Sequence, residues 1–133
     1  MHATRYQPWV RAALFLGAMY FVIGEAFAVP ASHVRVWRRA AWVVSAVAYG
    51  SHIGYEHFRL RYSPRLIALH AALAVAIGAL VLAVAGMIHS LSVTMAIRPS
   101  WLLALIIWPA VTSIPAFLVA LVAASVLARV EPL

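Results

Sequence analysis

Apolar residues fill four long runs of this chain, roughly Val10–Val29, Ala40–Phe58, Leu66–Ile88 and Ser100–Ala128. Each run is near the ~20 residues that a helix needs to cross a ~30 Å hydrocarbon layer. The segments between them are short and carry Arg, Ser and Pro, which end helices and favour interfaces. The pattern predicts an all-α membrane protein, a compact bundle of four transmembrane helices forming a single domain over residues 1–133. Tyr62-Ser63-Pro64 predicts a tight turn, so the second and third runs should form an antiparallel hairpin. Pro99 suits the first turn of the fourth helix, where its missing N–H is not needed.

The second run is the exception in an otherwise uniform pattern. Arg38, Trp42, Ser45, Tyr49, His52, Glu56 and Arg59 follow one another at alternating steps of four and three. Such steps keep side chains on one face of a helix, with a drift of about 20° per seven residues. The remaining positions are mainly Ala and Val, so the face is a polar seam in a lipid-type helix. Ionisable groups at membrane depth are costly and usually face protein or a water-filled path. Ser45, Tyr49, His52, Glu56 and Arg59 therefore form the first candidate site, with alternating donors and acceptors suited to relaying protons or binding a polar head group. The plain structural alternative is an ion pair between Glu56 and Arg59, with His52 bonded to a neighbouring helix.

Composition sharpens the class. The chain is 66% hydrophobic with a mean hydropathy of +0.98, against about 45–50% apolar for soluble domains. It has no Cys, Lys or Asp, which removes thiol chemistry and a Lys Schiff base and leaves Glu25, Glu56 and Glu131 as its only acids. The net charge of +7 comes from ten Arg gathered at run ends and in short loops, where they suit lipid phosphates. No basic domain with interleaved aromatics is present, which argues against a nucleic-acid partner. Arg5, Arg11, Arg59, Arg61, Arg65 and Arg129 fall on one side of a four-span arrangement and Arg35, Arg38, Arg39 and Arg98 on the other. This imbalance points to cytoplasmic termini in a bacterial-type inner membrane. Arg5, Arg11 and Ala26-Phe27-Ala28 also fit a signal peptide with its cleavage site, although the first run is better read as a retained span. Tyr6, Trp9, Trp37, Trp42, Tyr55, Tyr62 and Trp101 stand near run ends, as interfacial anchors do.

Three further groupings carry chemistry. His52 and His70 lie at similar distances from the turn at Tyr62, a spacing that allows bis-His ligation of a b-type haem. Adding Glu56 gives a three-ligand metal site. At the other end, Glu25, His33 and His89 define an outer acid–imidazole cluster, with pairing of Glu25 to Arg35 or Arg38 as the plainer expectation. In the fourth run, Pro109 and Pro115 remove backbone bonds to Leu105 and Val111. They predict an interrupted helix or hinge, with Thr112 and Ser113 placed to refill those bonds. Ala116, Ala120, Ala124 and Ala128 then form a small-residue seam, matched by Ala13-x-x-x-Gly17 and Ala74-x-x-x-Gly78. Such seams let helices approach closely, within a bundle or between subunits.

The expected partners are the lipid bilayer and either further copies of the chain or a larger membrane complex. The leading functional expectation is an oligomeric transporter or channel component, with the seam as an ion pathway. One alternative is an accessory subunit of a respiratory or photosynthetic complex, binding haem, quinone or pigment. Another is a lipid-modifying enzyme using Glu56 with His52 or His57. No nucleophile, oxyanion site or phosphate loop is evident, so catalysis ranks last.

Overall fold

The computed structural model describes residues 8–28, 34–95 and 99–130. They form four helices, α1 (Pro8–Ala28), α2 (Val34–Phe58), α3 (Pro64–Thr94) and α4 (Pro99–Val130), with no strand among the described residues. The described residues of all four apolar runs are helical; every helix starts before its expected boundary, α1 by two residues and α2 by six, and α3 and α4 also end beyond theirs. The turn after α2 has Arg61 in the left-handed region (φ 54°), and the Tyr62 N–H returns to the Glu56 carbonyl at 3.3 Å. Pro64 then opens α3, with Ser63 in the extended N-cap conformation. Pro99 likewise opens α4.

α3 and α4 are each long and apolar enough to cross a membrane. At 1.5 Å per residue they reach about 47 Å, more than a hydrocarbon layer is thick. α1 contributes a shorter apolar segment, Pro8–Gly24. α2 has 25 residues, but Arg35, Arg38, Arg39, His52, Glu56 and His57 keep its hydropathy below that of a span. Polarity rather than length sets α2 apart.

Packing follows the small residues. α3 is the central helix, packed against α4 on one side and α1 on the other. Ala120 and Ala124 of α4 are fully buried against Ile67, Ala68 and Ala71 of α3, so the α4 small-residue seam works inside the bundle. Ala13 of α1 and Ala74 of α3 share a second buried cluster with Leu16 and Ala48. At this crossing a Cβ added to Gly78 would lie 2.8 Å from the Tyr20 Cβ and 3.2 Å from the Gly17 carbonyl oxygen. Only hydrogen fits there, which brings the two backbones together. α2 touches all three other helices but leaves much of its surface open, with Trp42 77% exposed and Val47 64%.

The prolines of α4 do not interrupt it, contrary to the expected break. The helix runs continuously from Pro99 to Val130 through Pro109 and Pro115. The hydroxyls also serve other carbonyls than expected. Thr112 donates to Trp108 at 2.8 Å and to Pro109 at 3.1 Å, and Ser113 donates to Ala110 at 3.3 Å. Each reaches back three or four residues, which is the ordinary range of a helical Ser or Thr. The carbonyl of Val111 lies only one or two residues before these hydroxyls and Leu105 seven or eight before them, so neither is reachable.

Candidate functional site: a buried carboxylate between imidazoles

The tight turn between α2 and α3 brings Glu56 level with His70, since each is seven residues from Ser63. Glu56 is fully buried, and its two carboxylate oxygens lie 2.9 and 3.1 Å from His70 Nδ1. One proton is shared across this contact, carried either by the imidazole or by the carboxyl group. On the other side, His52 Nε2 is 3.6 Å from Glu56 Oε1, one helical turn back along α2. His52 is itself 4% exposed, and neither of its ring nitrogens makes a hydrogen bond. The site is a carboxylate flanked by two imidazoles, one bonded and one not.

Aromatic rings enclose this arrangement. Trp9, at the start of α1, stacks flat on the His70 ring with centroids 4.6 Å apart and planes 5° from parallel. Tyr62, in the α2–α3 turn, meets the same ring edge-on at 5.4 Å. Stacking stabilises a positively charged imidazole through the electron-rich indole face and also limits water access. Trp9 and Tyr62, which sequence position alone marks as interfacial anchors, thus also wall the Glu56–His70 pair.

The seam does not act as one face. Arg38, Trp42, Ser45 and Tyr49 line a groove of about 790 Å³ between α2 and α4, floored by α1 and α3. His52 lines a different groove, of about 860 Å³, between α1 and α2. Glu56 turns into the interior, and Arg59 is exposed at the end of the bundle. The physical reason is the helical drift, which accumulates to about 60° over the three heptads from Arg38 to Arg59. The Glu56–Arg59 pair expected from their i, i+3 spacing gives way to Glu56–His70, because burial excludes the exposed guanidinium. Tyr49 supplies a link across the groove, donating its hydroxyl proton to the Ala116 carbonyl of α4, the residue after Pro115.

The remaining candidates fare differently. Among the described residues no three His or Glu side chains are arranged to hold a metal ion. A haem ligated by both His52 and His70 would need the Glu56 carboxylate to leave the space between them and Trp9 to leave the face of His70. His57 is buried beside Phe58, with an edge-on ring contact at 4.9 Å. Of the outer cluster, His33 and the side chain of Glu25 lie outside the described residues, and His89 is exposed. Trp101 packs over Gly86 of α3, where an added Cβ would lie 2.7 Å from the indole.

Comparison of the chain with family models, with curated proteins and with solved structures finds no match.

Proposed function

We propose that this chain is a small four-span integral membrane protein in which Glu56, His70 and His52 take up and release protons, acting as an oligomeric transporter or channel component. The observation that carries the reading is the fully buried Glu56 carboxylate held between one bonded and one unbonded imidazole. Buried charge is expensive, and a group kept there without a structural ion pair to Arg is suited to changing its protonation state. The unbonded His52 gives the proton a second acceptor one turn away. The α2–α4 groove supplies the path for the transported species, with Tyr49 and Ser45 at its wall. The hydrogen bond from Tyr49 to Ala116 joins the seam to the proline-bearing stretch of α4, so Pro109 and Pro115 serve as the hinge. In this reading all four helices span the bilayer, α2 tolerating its charges by turning them toward protein and the two interfaces.

The test is proton flux in proteoliposomes, followed with an entrapped pH-sensitive dye under an imposed potential. Gln keeps a hydrogen-bonding side chain of the same shape opposite His70 but cannot titrate. Glu56→Gln is expected to abolish flux while leaving the size-exclusion profile of the detergent-solubilised protein unchanged. Undiminished flux through Glu56→Gln overturns the reading.

A further inference from the structure

His52 presents an energetic problem that the proton-handling reading leaves unsolved. Both of its ring nitrogens are buried without a hydrogen bond, and leaving buried polar groups unpaired is costly. The residue lines the α1–α2 groove, so a partner entering that groove would satisfy it. The other polar side chains of the lining are Arg11, Ser51 and Tyr55, which bring a guanidinium and two hydroxyls to the same end. Arg11 is exposed and makes no ion pair among the described residues. The rest of the lining is apolar, running up the groove through Phe15, Met19, Val44 and Val47. One end of the groove therefore suits an anionic head and the rest suits a hydrocarbon chain.

We propose that the α1–α2 groove binds an acidic phospholipid of the surrounding bilayer, its phosphate held by Arg11, Ser51, His52 and Tyr55. A phosphodiester offers acceptor oxygens to all four donors, and its negative charge complements Arg11. The occupant comes from the bilayer because the groove opens along a flank where Phe15 is 71% exposed and Val47 64%. Its volume of about 860 Å³ falls within the usual span of ligand pockets, about 300–1,000 Å³. The proposal rests on the chain being embedded in a bilayer, and it does not depend on proton flux.

Native mass spectrometry of the intact protein, released from detergent containing phosphatidylglycerol, phosphatidylcholine or oleate, reads the occupant directly. One phosphatidylglycerol is expected to be retained, about tenfold more strongly than phosphatidylcholine, whose choline cation cancels the net charge of the headgroup and is repelled by Arg11. Arg11→Gln removes the charge at an exposed position and is expected to erase that preference. Val47→Trp fills the chain-binding part of the groove from an exposed position and is expected to abolish retention. Equal retention of phosphatidylglycerol and phosphatidylcholine, unchanged retention in both variants, or capture of oleate in place of phosphatidylglycerol overturns the proposal. Neither substituted residue belongs to the Glu56 cluster, so loss of lipid and loss of flux are distinguishable.

Discussion

At the scale of single residues, the two histidines beside Glu56 have opposite energetic roles. His70 is the partner of a fully buried carboxylate, so His70→Ala strands Glu56 and is expected to cost about 3–5 kcal/mol. A lowered thermal midpoint of the solubilised protein checks this, and an unchanged midpoint would contradict the pairing. His52 has the reverse balance, since its buried nitrogens have no hydrogen-bond partner. His52→Phe keeps the ring volume, and in detergent free of acidic lipid it is expected to leave the midpoint unchanged or raise it. Both histidines and Glu56 were legible in the sequence as ionisable groups in apolar helices. Their pairing was not, because an i, i+3 spacing to Arg59 competes on paper with a contact across a turn, and only burial decides between them.

At the scale of helices, close approach is achieved by removing side chains. The α1–α3 crossing depends on Gly17 and Gly78, and the α3–α4 contact on Ala120 and Ala124. Gly78→Leu must push its side chain into Tyr20 and the α1 backbone and is expected to cost at least the ~1–3 kcal/mol typical of overpacking. The same substitution at Gly50, where an added Cβ meets nothing within 4 Å, is expected to be well tolerated. Comparing the denaturation midpoints of the two variants tests whether close packing at Gly78, rather than glycine content, holds the bundle. The small residues and their four-residue spacing were readable in advance. Which helix each seam would meet was not, since α1, α3 and α4 carry similar patterns and any two could have paired. The prolines of α4 show the same limit from the other side. Local chemistry predicts a missing bond at each, yet the helix continues because the surrounding turns keep their own bonds and the apolar run favours helix on both sides.

At the scale of the whole molecule, the antiparallel order of the helices gathers charge at one end. The start of α1, the turn between α2 and α3, and the end of α4 lie together, as the contacts of Trp9 with His70 and of Ala124 with Ile67 require. That end carries Arg11, Arg59, Arg61, Arg65 and Arg129, while the described part of the other end carries Arg35, Arg38 and Arg39. We propose, from the positive-inside rule, an orientation with the first end in the cytoplasm. The chain has no Cys, so single cysteines report the topology without background. Ser63→Cys is expected to react with an impermeant maleimide only from the cytoplasmic side, and Ser100→Cys only from the opposite side. Labelling of either position from both sides would indicate mixed orientation. The exposed apolar faces of the bundle, among them Leu103, Ile106, Val111, Ile114 and Val122 of α4, are broader than a soluble protein presents and suit contact with lipid chains.

The sequence by itself determined the all-helical class, the four helices and the position of the turn between α2 and α3. These depend on apolar run length, on Pro and on local backbone preferences, all of which act over a few residues. It also marked α2 as the helix with ionisable groups among Ala and Val, which are costly wherever they end up. Only the tertiary structure decided that Glu56 bonds His70, that Trp9 and Tyr62 enclose the pair, and that the seam divides between two grooves. Those outcomes follow from how far α2 rotates along its length and which helix meets each face. Such long-range geometry is set by the summed packing of many small residues, and no spacing within a single helix contains it.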